Sequence, residues 1–211
     1  MVYQKALPSV KDGGALHILS ENKNHNRLIA SIAASRYNSR RRRMLVANEE
    51  RKDFNAMLHK PVEMPRVQIL TDRASIQKYG GEKMLLAPPL AYDAIMKTIP
   101  WGSVTTVGAI RAYLAQKYDA DFTDPITAGI FVSLAAWASH QRSDDQTPYW
   151  RVLKANGELN AKYPGGVTAQ KERLEAEGHT VVQKGRTHLR YVVQDYQAAL
   201  YPLNEPLNAG R

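Results

Sequence analysis

Residues 147–166 read TPYWRVLKANGELNAKYPGG and hold several of the side chains most capable of chemistry. Pro148 stiffens the start of the stretch. Tyr149 carries a phenol whose ordinary pKa is about 10, a poor nucleophile near neutrality without strong activation. Trp150 places a second ring beside it. The two rings can stack a base or another flat ligand, or they can fill space as core. Arg151 can tie the loop to a carboxylate or to carbonyls, or grip a phosphate. Asn156-Gly157 reads as a tight turn, Tyr163 follows, and Gly165-Gly166 make a second break. Glu177 falls at the end of the next helix, either as a helix-end carboxylate or as a proton relay.

The chain has no cysteine, which excludes disulfides, thiolate metal sites and thiol catalysis. His140, His179 and His188 are scattered without a metal-ligand spacing such as His-Glu-x-x-His, so no metal is expected. Gly80-Gly81 reads as a turn and not as a phosphate loop, and no cofactor is expected.

These residues need elements to position them. LAYDAIMKTI (90–99) repeats apolar residues at helical spacing. Thr105 or Thr106 can cap a second helix over 107–118. Asp124 before Pro125 starts a third over 126–141, with Thr127, Ala128, Gly129 and Ser133 small near its beginning and Trp137 in the core. Two helices joined by a short turn form a helix-turn-helix, whose second helix would be offered to a groove. A helix over 168–178 ends at Gly178, and residues 179–193 read as a hairpin around Lys184-Gly185-Arg186. The predicted class is α/β, mainly helical, with a winged helix-turn-helix.

Upstream, residues 44–60 can form one amphipathic helix, stopped by Pro61 and Pro65. VQIL (67–70) reads as a strand, and MLLAPP (84–89) as an extended lead-in. The expected organisation is a basic, poorly ordered extension over 1–43, an N-terminal extension over 44–89 packing on the domain, a domain over 90–200 and a tail over 201–211. Within 1–43 only LIASIAAS (28–35) looks helical, and Met44 could be the natural start.

The net charge is +9, but it is unevenly spread. Residues 1–43, which end in Arg40-Arg41-Arg42-Arg43, hold nine Lys/Arg against two Asp/Glu; residues 44–211 hold 20 against 18. The leading segment could grip phosphate or be a solvated tail, and the folded part is nearly neutral. No apolar run is long enough for a membrane span and no secretion signal is visible, so a cytoplasmic protein with no membrane partner is expected.

The order IPWGSVTT, helix, Asp124-Pro125, helix with small residues, Pro148-Tyr149-Trp150-Arg151-Val152, Asn156-Gly157, Tyr163-Pro164-Gly165-Gly166 and a helix ending Glu177-Gly178 resembles the DNA-binding domain of the O-alkylguanine-DNA alkyltransferases (methylated-DNA–protein-cysteine methyltransferases). The resemblance covers roughly residues 90–180 and is closer to the alkyltransferase-like proteins, which replace the cysteine and bind alkylated guanine without repairing it. TPYWR and GELNAKYPGG are also similar to a small bacterial branch of the superfamily.

In that family a thiolate, primed by His and Glu through water, takes the alkyl group from a nucleotide flipped out through the minor groove. An arginine on the recognition helix fills the gap, and a tyrosine crowds the phosphate. Carried over, Tyr149 stands at the cysteine position and Trp150 at the histidine position. Arg151, Val152, Tyr163, Gly165, Gly166, Glu177 and Gly178 match. The phosphate-crowding tyrosine falls at Val107 and the arginine at Gly129. The resemblance implies a non-catalytic DNA-binding protein linked to repair or to recognition of alkylated guanine, with double-stranded DNA and a repair protein as partners. Thr105, Thr106, Thr127, Ala128, Gly129, Arg151, Lys184 and Arg186 would meet DNA, with Arg190 joining the two hairpin basics. Pro148, Tyr149, Trp150, Tyr163, Gly165 and Gly166 would shape a pocket. The alternative is an interaction or small-molecule-binding module that kept the fold and lost DNA recognition.

Overall fold

The computed structural model describes residues 51–203. The chain divides into two units, Met1–Lys52 and Asp53–Arg211, and the described elements belong to the second. The expectations for 1–43, including LIASIAAS and the four arginines, lie outside the described residues.

A long helix, α5 (Pro125–Gln141), runs through the core. Its start is fixed locally: the Asp124 carboxylate accepts from the amides of Ile126 and Thr127, and Pro125 occupies the first turn. Ala128, Ala135, Ala136 and Ala138 are buried along it, and such small side chains let neighbouring helices approach closely. Against it pack α1 (Phe54–Leu58), α3 (Pro89–Lys97) and α4 (Val107–Lys117). Phe54 of α1 stacks on Trp137 at 5.5 Å, and the indole of Trp137 donates to the Lys162 carbonyl at 3.0 Å. The helix expected over 44–60 is shorter where it is described: of residues 51–60 only Phe54–Leu58 is helical, because the Asp53 carboxylate accepts from the Ala56 amide and caps the helix there, and His59 ends it. At the head of α4 the cap is Thr106, whose hydroxyl accepts from the Ala109 amide at 3.0 Å.

Three small sheets complete the architecture among the described residues. β1 (Arg66–Ile69) pairs antiparallel with β2 (Lys83–Leu86), and β2 runs parallel to β4 (Phe122–Thr123). The segment expected as an N-terminal extension is therefore joined by backbone hydrogen bonds to the turn between α4 and α5. Between β1 and β2 lies α2 (Arg73–Tyr79), capped by Asp72 and closed by Gly80 in the left-handed region. The sequence pattern did not reveal α2, because it buries no residue and so shows no apolar periodicity.

β3 (Thr105–Thr106) runs parallel to β5 (Val152–Leu153), which ties the loop after α5 to the turn before α4. α6 (Gly166–Ala176) begins at Gly165 and Gly166, both left-handed. β6 (Val181–Lys184) and β7 (Arg190–Val193) form the expected hairpin, with a connection longer than the turn foreseen around Gly185. Two apolar clusters result, one around α5 and one of Val104, Leu153, Leu159, Leu174, Val181 and Val193, and Trp150 packs against both. No described helix is long and apolar enough to cross a membrane.

Candidate functional site

Glu177 closes α6 and is the point on which the loop converges. Arg151 grips its carboxylate in fork fashion, Nε lying 3.0 Å from Oε1 and 2.8 Å from Oε2, with Nη2 2.9 Å from Oε1. The indole N–H of Trp150 donates to Oε1 at 2.6 Å, and the Gly102 amide donates to Oε2 at 3.2 Å. The remaining arm of Arg151 donates to the Ile99 carbonyl at 2.6 Å. Both charges are buried, and this set of donors is what makes that tolerable. Burial by itself would raise the Glu177 pKa, but the hydrogen bonds from Arg151, Trp150 and the Gly102 amide hold it below the ordinary carboxylate value.

Around the ion pair the rings close up. Tyr149 is only 2% exposed and packs edge-to-face against Trp150 and Tyr163, each at 5.5 Å. The Tyr163 hydroxyl donates to the Val152 carbonyl at 3.1 Å. The Gln170 amide group donates to the Trp150 carbonyl at 2.9 Å, and its oxygen accepts from the Asn160 amide at 2.7 Å. Arg173 lays its guanidinium over Trp150 at 4.5 Å and over Tyr149 at 5.4 Å. Burial pushes the Tyr149 hydroxyl above its ordinary value, with Arg173 opposing, which is the wrong direction for a nucleophile.

The expected pocket is therefore filled. Pro148, Tyr149 and Tyr163 are buried and Trp150 is half-buried, while Gly165 and Gly166 turn the chain into α6 at the rim. A described surface groove of about 360 Å³ lies elsewhere, lined by residues of α4 and β4 that include Arg111, Ala112, Gln116 and Thr123.

The expected DNA contacts divide in the same way. Thr105 and Ala128 are fully buried, and Arg151 is committed to Glu177, so none of the three offers a group to a phosphate from where it stands. Burial in the core and in an ion pair is the physical reason. Thr106 caps α4, and Thr127 gives its amide to Asp124. Gly129 has open space where a side chain would be. Lys184, Arg186 and Arg190 are exposed on the hairpin.

Sequence reasoning missed the network that holds the loop to the helices. Thr147 donates its hydroxyl to Asp93 Oδ1 at 2.6 Å and accepts from Arg142 Nη2 at 2.9 Å. Arg142 also donates to Asp93 at 3.1 Å. The Ser139 hydroxyl donates to the Thr147 carbonyl at 2.9 Å and accepts from its amide at 2.8 Å. A buried acid on an amphipathic helix, Asp93 on α3, was the one available signal.

The geometry defines a helix-rich α/β domain whose loop before β5 is closed by rings and a buried ion pair. No protein-family model matches the chain and no curated protein matches it. Among solved structures it is similar to S. pombe Atl1 in complex with damaged DNA containing O6-carboxymethylguanine, at 23% identity over 53% of this chain and 91% of that one, TM-score 0.37. It is also similar to S. pombe ATL in complex with DNA, at 22% identity over 54% of this chain and 94% of that one, TM-score 0.40.

Proposed function

We propose that this chain is a non-catalytic DNA-binding protein of the alkyltransferase-like kind, linked to DNA repair or to recognition of alkylated guanine. The observation that carries the non-catalytic part is the hydrogen bond from Trp150 to Glu177 beside a buried Tyr149. An indole N–H donates only, so nothing in the histidine position can take a proton, and Tyr149 has no thiol to offer. The DNA-binding part is supported by the motif order over roughly 90–180, by the succession α4, α5 and hairpin expected of a winged helix-turn-helix, and by exposed Lys184, Arg186 and Arg190 as a wing. In this reading α5 is offered to the minor groove and the start of α4 to the backbone, with a cytoplasmic setting and a repair protein as second partner.

A second reading has an observation of its own. Ile126 and Ile130 stand one turn apart on α5 and are 68% and 56% exposed. An exposed apolar pair fits a protein-interaction module that has lost DNA recognition. Fluorescence anisotropy of the full chain on duplexes with and without an O-alkylated guanine, at low and moderate salt, separates the two. Salt-sensitive binding, tighter to the lesion, is the expected result. No binding at either salt would leave the interaction module.

A further inference from the structure

Trp101 leaves 68% of its surface in solvent, yet the backbone on either side of it is fixed. The Ile99 carbonyl accepts from Arg151 Nη1 at 2.6 Å, and the Gly102 amide donates to Glu177 Oε2 at 3.2 Å. The Ser103 amide closes the turn on the Pro100 carbonyl at 3.2 Å. The two members of the buried ion pair thus clasp the turn before and after the tryptophan. Arg151 also places its guanidinium over the Trp101 ring, 5.8 Å from the centroid. From there rings and cations alternate: Arg151 lies 5.5 Å from Trp150, and Arg173 lies 4.5 Å from Trp150 on its own account.

Apolar surface on a loose loop tends to fold back against the protein and leave water. Here the clasp holds the indole out. A cation set against the electron-rich face of an indole draws on that density, so the solvent side favours a flat, electron-rich partner over a second cation. Arg151 is neutralised by Glu177 and has no charge to spare for an incoming anion. Arg173 has no carboxylate partner among the described residues, so the ladder as a whole carries positive charge. A flat electron-rich ring attached to a phosphate satisfies both conditions.

We propose that Trp101 is a stacking platform for an unpaired nucleobase. The inference rests on reading the chain as a DNA binder and names a contact outside the degenerate loop. It gives the Arg151–Glu177 pair a use, which is to display the tryptophan.

The test uses the full chain and two duplexes of one sequence, one with 2-aminopurine paired and one with it as a single-base bulge. Anisotropy gives affinity, and 2-aminopurine emission reports stacking. The wild type is expected to bind the bulged duplex more tightly and to quench its emission. Trp101→Ala is expected to weaken binding to the bulged duplex by roughly 5- to 150-fold, to abolish the quenching and to leave the paired duplex unaffected. Trp101→Phe, which keeps a ring, is expected to retain most of both effects. Because the side chain is exposed, melting curves of the variants should match that of the wild type. Unchanged binding of the bulged duplex by Trp101→Ala would overturn the platform and leave DNA binding standing. Equal weakening on both duplexes would overturn it as well, since base exposure would then play no part. Absence of binding to either duplex by the wild type would overturn the DNA reading and the platform together.

Discussion

The indole N–H of Trp150 donates to Glu177 Oε1 at 2.6 Å across 27 residues of sequence. The bond keeps the loop attached to the end of α6, and it is not an acid–base pair, because an indole nitrogen cannot accept a proton. The place is a structural junction, with Arg151 and the Gly102 amide as its other members.

Trp150→Phe tests how much that bond contributes. The ring stays and the donor goes, leaving Glu177 to Arg151 and Gly102. A hydrogen bond to a charged group contributes about 1.5–3 kcal/mol, so the melting temperature should fall by several degrees. An unchanged melting temperature would show the bond to be energetically idle.

The Arg151–Glu177 pair predicts strong non-additivity. Arg151→Met alone strands a buried carboxylate and should cost about 3–5 kcal/mol. Adding Glu177→Leu should recover part of that loss, which a urea-denaturation double-mutant cycle would measure. Simple addition of the two single losses would refute the coupling.

The same pair sets a pH dependence. Against burial, which would raise it, donors from Arg151, Trp150 and Gly102 hold the folded Glu177 pKa below its unfolded value. Its contribution is therefore present above the unfolded carboxylate pKa, about 4.3, and is lost as pH falls through the folded value. Below about pH 4 the wild type should lose stability more steeply than Glu177→Gln. Parallel acid profiles of the two proteins would contradict this.

A thiol placed at position 149 should not confer alkyl transfer. Tyr149→Cys supplies an acceptor atom, but the neighbouring Trp150 indole cannot take its proton, and thiolate formation needs a neighbour that does. Incubated with DNA carrying a labelled O-alkylguanine, the variant should take up no label. Stoichiometric labelling would show that Glu177 alone primes the site.

Two glycines with similar backbones should respond differently. A Cβ on Gly157, at φ +73, would lie 2.5 Å from Tyr196 Cδ1, whereas Gly178, at φ +88, has nothing within 4 Å. Gly178→Ala should cost about 1 kcal/mol for the left-handed conformation alone, and Gly157→Ala about 2–4 kcal/mol with the clash added. Equal losses in chemical denaturation would mean that Tyr196 moves aside freely.

The sequence alone carried three helix starts, whereas the helix expected over 44–60 is confined, where described, to Phe54–Leu58 and the one expected over 168–178 begins two residues earlier. Asp124-Pro125 at the head of α5, a threonine cap on α4 and the Gly165-Gly166 break before α6 are all local events, written in neighbouring residues. It also determined that no thiol chemistry occurs here. The short α2 escaped notice because a helix with no buried face leaves no period to read. Tertiary structure alone decided the state of the site. Whether Tyr149 opened a pocket or filled one turned on Tyr163 and Arg173, and whether Arg151 reached a phosphate or a carboxylate turned on Glu177, 26 residues away. Asp93 and Thr147 meet across 54 residues. Such pairings depend on how completely packing removes water from each group, since the same arginine in solvent would have been free to bind an anion.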